Sequence, residues 1–171
     1  AQVIAHKKLR TVCLGDHVTL IFEDELTMRY QIQEMLRTER IFEEAGIQDE
    51  LNAYNPLIPD GNNWKVTLMI EYTDENERRV MLTRLKGIED HIWVRALGQA
   101  KVHAIADEDL ARENEEKTSA VHFLRFELDP ASIAAIKAGA GIGIGVDHPE
   151  YSAEIAVLPE PVRAALSQDI T

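Results

Sequence analysis

Cysteine is almost absent from this chain: Cys13 stands alone among 171 residues. A lone cysteine excludes an internal disulfide framework and every CxxC-type zinc or redox site. Long hydrophobic runs are absent too. No stretch approaches the roughly 18 apolar residues of a membrane helix, and no basic-then-apolar leader opens the chain, so a cytoplasmic protein without a membrane segment is expected. Positive charge is scarce: Lys and Arg number 18 against 30 Asp and Glu, a net charge of −12. Such a surface repels phosphate and argues against nucleic acid or anionic membranes as partners.

What is present suffices for a core. Hydrophobic residues make up 45% of the chain, which at this length predicts one domain over residues 1–171. Two β-rich runs, 11–14 and 17–22, flank Gly15-Asp16, a hairpin signal. From Glu25 to about Ala45 the period changes, and Met28, Ile32, Met35, Leu36 and Phe42 draw one helical stripe. Either Gly46 ends this helix or a short second helix continues through Leu51. A turn-rich loop with Pro56 and Pro59 follows, and then a strand over 64–72. Asp74 and Glu77 mark the start of a helix stopped by Gly87. Strands are expected over 92–97, 101–106, 118–128 and 142–146, with a further one over 154–157. Asp129-Pro130 and Pro161 each open a helix, and the acidic segment 107–117 reads as an exposed loop. Strands and helices alternate without a βαβ rhythm. The prediction is an α+β fold: a mostly antiparallel sheet with about four packed helices.

Four runs carry a family resemblance: 29–37 (RYQIQEMLR), 51–61 (LNAYNPLIPDG), 116–126 (EKTSAVHFLRF) and 145–151 (GVDHPEY). Together they resemble a bacterial family called domain of unknown function 3501, over essentially the whole chain. That family has no assigned catalytic residues to carry over. Its members are often encoded beside a rubrerythrin and an iron–sulfur oxidoreductase, so the resemblance implies peroxide- or iron-linked redox physiology and a protein partner of one of those kinds.

The residues themselves offer few chemical groupings. Strand alternation puts His122 on one face with Leu124 and Phe126, where an imidazole needs a hydrogen-bond partner or a metal. His148 follows a strand, with Asp147, Glu150 and Tyr151 beside it. His122 and His148, with Tyr151, are the candidate metal or ligand site, and iron or haem the candidate cofactor. Two separate histidines, one in the core and one in a turn, are the plainer alternative, since neither has chelate spacing. No Glu-x-x-His pair occurs, so a di-iron bundle site is not encoded. On the long helix Arg29, Gln33 and Arg37 share a face that could hold a carboxylate or a partner's acidic edge, with ordinary helical ion pairs as the alternative. Gly139, Gly141, Gly143 and Gly145 alternate with apolar residues. If extended, they bare a sheet face to a helix, another backbone or a flat ligand. Two readings follow: an accessory or interaction protein, and an iron-, haem- or small-ligand-binding protein or enzyme with its site around His122 and His148.

Overall fold

The computed structural model describes residues 2–106 and 120–171. Among these residues eight strands form two antiparallel four-stranded sheets. The first takes β1 (Thr11–Leu14), β2 (Val18–Glu23), β3 (Asn63–Ile70) and β6 (Val121–Glu127), in that order. The second is ordered β5 (Val102–His103), β4 (Ile92–Ala96), β7 (Ile142–His148) and β8 (Tyr151–Ile155). The α+β class and the antiparallel pairing are as the sequence predicts, but the strands divide between two sheets.

The sheets meet at both edges. Ile105, just past β5, exchanges two 2.8 Å backbone hydrogen bonds with Arg125 of β6. At the other edge the Tyr151 hydroxyl of β8 donates to the Leu14 carbonyl and accepts from the His17 N–H at 3.1 Å. Gly15, at φ 70°, makes that approach possible, because a Cβ there would lie 2.5 Å from the Tyr151 hydroxyl. The inward residues form one core: Leu14, Leu20, Phe22, Trp64, Leu68 and Phe126 from the first sheet, with Ile92, Val94, Ile142 and Ile144 from the second. This alternation of inward apolar and outward mixed residues is the period-2 pattern that made the strands legible.

Among the described residues there are six α-helices, where the sequence predicts about four. The predicted 25–45 helix is two, α2 (Glu25–Thr38) and α3 (Glu44–Tyr54). The break falls at Arg40, whose φ of 53° leaves the helical region. Gly46 therefore sits inside the second helix rather than ending the first. The N-terminal helix α1 (Gln2–Lys8) lacks a sequence signal strong enough to anticipate it. Asp74 caps α4 (Glu75–Arg84) by accepting from Glu77 N–H at 2.8 Å, and Asp129 caps α5 (Pro130–Lys137) through Ser132 N–H at 2.7 Å. The last helix, α6 (Glu160–Ser167), docks where Trp64 Nε1 donates to the Leu166 carbonyl at 3.0 Å. No described helix is long and apolar enough to cross a membrane. The acidic 107–117 segment lies outside the described residues.

Candidate functional site

The outward face of the first sheet carries charges that a solvated face would expose and this one covers. Along β2 the inward residues are Val18, Leu20 and Phe22, so Thr19, Ile21 and Glu23 point outward. Across the register Glu23 faces Lys65, which faces Arg125; Ile21 faces Thr67, which faces Phe123. Glu23 and Lys65 are nonetheless each only 6% exposed. Ionised groups are rarely buried this far without a role or a partner network.

Glu23 ends β2 and the chain turns at once into α2. Its Oε2 accepts from the Thr27 hydroxyl at 2.5 Å and its Oε1 from the Thr67 hydroxyl at 3.1 Å. Burial raises its pKa from the ordinary carboxyl value; the two hydroxyls and Lys7 oppose that rise, and Asp24 adds to it. Thr27 also belongs to a capping box, its N–H donating to Asp24 Oδ1 and its hydroxyl accepting from Asp24 N–H, both at 2.9 Å. The start of α2 is thus tied to the Glu23 carboxyl through one threonine. Behind it Asp24 meets His6 at 2.6 Å and Arg10 at 3.5 Å.

Beside Glu23 lies a cavity of about 340 Å³. Its apolar lining is Ile21, Met28, Met69, Val121 and Phe123, and its polar groups are Lys7, Glu23, Gln31 and Thr67. A mostly apolar hollow with a few convergent polar groups and a perturbed carboxyl is the usual form of a ligand site. At the end of the same face Glu127 accepts from Arg125 at 2.8 Å and from Asn63 at 2.9 Å. Burial pushes Glu127 up, and those two bonds outweigh it and hold the carboxyl below its usual range.

A second cavity, of about 270 Å³, opens between α2 and α3, lined by Glu25, Arg29, Ile32, Gln33, Leu51, Asn55 and Ile58. Of the basic face read from the sequence, Arg29 and Gln33 line this cleft and Arg37 does not. Arg29 pairs with Glu25 and Arg37 with Glu34, both on the exposed helix surface.

The histidines stand on different sheets. His122 points inward from β6, opposite Leu68, with Nε2 3.8 Å from Glu89 Oε2 and both side chains buried. His148 ends β7 in the other sheet. Its Nδ1 accepts from Glu150 N–H at 3.0 Å, which leaves the proton on Nε2 to donate to the Lys86 carbonyl at 2.9 Å. Tyr151 is its cross-strand partner in the β7–β8 hairpin and spends its hydroxyl on the sheet edge. His148 and Tyr151 thus share one hairpin, while His122 projects from the facing sheet toward Glu89, three residues along the chain from the Lys86 carbonyl that His148 meets. Asp147 is bracketed by His91 at 3.2 Å and His103 at 3.3 Å. Burial raises Asp147, and the bonds from His103 and His91 more than offset it, so the carboxyl lies below its usual range. Among the described residues no group of three or more His, Cys, Asp or Glu is arranged to hold a metal ion.

Glu23 escaped sequence reading because it opens the acidic run Glu23-Asp24-Glu25, which reads as charges favoured at a helix start. The signal was its strand phase: Glu23 shares a face with Ile21 just where an amphipathic helix must fold back over that face.

A family model described as a protein of unknown function, DUF3501, matches residues 1–170. The chain is also similar to a protein of Burkholderia pseudomallei K96243, whose crystal structure is described as that of a novel protein of unknown function. The two are 57% identical with a TM-score of 0.93, over 99% of this chain and 88% of the other. No curated protein matches. The four runs that first suggested the family lie within a match along nearly the whole sequence, and the chain belongs to the DUF3501 family.

Proposed function

We propose that this chain binds a small amphipathic molecule in the cavity between α2 and the outward face of the first sheet. The observation that carries this reading is Glu23: a buried carboxyl with a raised pKa, opening into a hollow whose other walls are largely apolar. The sequence supports small-ligand binding as one of two readings, and the geometry favours this cavity over the neighbourhood of His122 and His148. Both ring nitrogens of His148 are spent on backbone groups.

Nile red, a neutral apolar fluorophore, supplies the test. Its fluorescence rises on binding the wild type, and Met28→Trp, which fills the cavity, abolishes most of that rise while Leu51→Trp in the other cleft leaves it. Enhancement indifferent to Met28→Trp in a folded variant would sink the reading.

One observation favours the interaction reading as well. Phe42 is 81% exposed at the turn between α2 and α3, an apolar knob that a partner such as the rubrerythrin or iron–sulfur oxidoreductase implied by the resemblance would cover. Co-purification with either, lost in Phe42→Ser, is the expected result; no association in the wild type would remove it.

A further inference from the structure

We infer that the molecule held beside Glu23 is a zwitterion of the α-amino-acid class with an apolar side chain, its ammonium against Glu23 and its carboxylate toward Lys7. This rests on the cavity reading above and adds the chemistry of the occupant.

Among the described residues the polar lining holds one anion and one cation. Glu23 is the acidic group of the cavity and Lys7 the basic one, with Gln31 and Thr67 as neutral partners. Lys7 acts on the Glu23 carboxyl electrostatically, so the two charges are near enough to be read by one small molecule. Each Glu23 oxygen accepts one threonine hydroxyl. A carboxylate offers about four lone-pair sites, so capacity remains for an ammonium. The Lys7 ammonium lies 5.7 Å from the centre of the Tyr30 ring, a contact that leaves N–H donors for a carboxylate.

Charge balance selects among ligand types. A simple amine would satisfy Glu23 but bring a second cation beside Lys7, and a simple acid would do the reverse. Each would leave one like-charge contact beside the buried Glu23 or the half-buried Lys7, where such contacts are costly. A zwitterion offsets both, and adjacent ammonium and carboxylate groups fit a pair of opposite charges in one small cavity. The remaining walls, Met28, Met69 and Phe123 among them, ask for an apolar side chain.

Displacement of bound Nile red by three related probes tests this: L-phenylalanine, 2-phenylethylammonium and 3-phenylpropionate. In the wild type, phenylalanine displaces the dye at concentrations about tenfold lower than either single-charge analogue. Glu23→Gln weakens phenylalanine and the amine about tenfold and leaves phenylpropionate unchanged; Lys7→Met weakens phenylalanine and the acid and leaves the amine unchanged. Both variants still take up Nile red, which shows the cavity intact. Equal displacement by all three probes, or by none, would overturn the zwitterion while the dye's dependence on Met28 upheld the cavity. Failure of the dye itself to bind would overturn both.

Discussion

Asp169→Ala lowers stability at pH 7 by about 1–3 kcal/mol in urea denaturation, the scale of a charged hydrogen bond lost from a buried group. Arg10 is left with Asp24, 3.5 Å away, as its acidic partner. It is 2% exposed, donates from Nε to the Phe22 carbonyl at 2.7 Å and pairs through its terminal nitrogen with Asp169. The pair joins the start of β1 to the chain just after α6, so its loss loosens the two ends of the protein together. Removing both charges is a different experiment. Arg10→Met with Asp169→Leu recovers most of the loss, because the desolvation of two ions disappears with their attraction. A loss below about 1 kcal/mol in the single variant would mean that the pair behaves as a solvated surface bridge.

The same carboxyl shapes the pH profile. Burial pushes Asp169 up to about 6 from an ordinary 3.8, with Arg10 pulling the other way. A folded pKa above the unfolded one means the folded protein holds this proton more tightly. Its contribution is fully present below the unfolded pKa and is lost as pH rises through the folded one. Asp24 has the opposite sign: burial raises it, but the Thr27 N–H, Arg10 and His6 together outweigh burial and hold it below its ordinary value. Its contribution is lost as pH falls through that lowered value. Stability therefore peaks between these limits, and the wild type gains about 1 kcal/mol from pH 7 to pH 5, a gain Asp169→Ala lacks.

Gly143→Ala costs about 1–3 kcal/mol, whereas Gly141→Ala, two residues away, changes stability by less than about 0.5 kcal/mol. The difference lies in what each new Cβ meets. At Gly143 it lies 2.8 Å from the Ala156 carbonyl oxygen, part of the backbone and unable to swing aside. At Gly141 it lies 2.7 Å from a methyl of Leu97, the end of an exposed side chain that can change rotamer. A Cβ at Gly145 would lie 2.5 Å from the Trp93 indole, and that ring is covered in turn by Lys101, 4.3 Å from its centroid. Equal destabilisation at 141 and 143, measured by thermal melting, would mean that the strand itself rather than the overlying backbone demands glycine.

These glycines mark how far the sequence could be read. Their alternation showed that one sheet face was bare, and close approach of another group was foreseeable from that alone. That the occupants are Trp93 and the backbone after β8 depends on the fold's own register, which local pattern does not encode. The strand phase of β6 was equally legible, with His122, Leu124 and Phe126 all buried as alternation required. The helix break at Arg40 was not, because no glycine or proline marks it and a backbone turn with positive φ at an arginine leaves no compositional trace. The candidate site was hidden for a related reason. Glu23, Lys7, Thr67 and Met28 come from four elements, and only tertiary packing assembles them, whereas His148 and Tyr151 drew notice because they are neighbours in sequence.

Methyl NMR of the wild type titrated with Nile red tests the central claim most directly. The expected result is that the methyl resonances of Ile21, Met28, Met69 and Val121 shift on addition of the dye while those of Leu51 and Ile58, in the cleft between α2 and α3, stay in place. Shifts confined to Leu51 and Ile58, or none at any of these methyls, would contradict a ligand site beside Glu23.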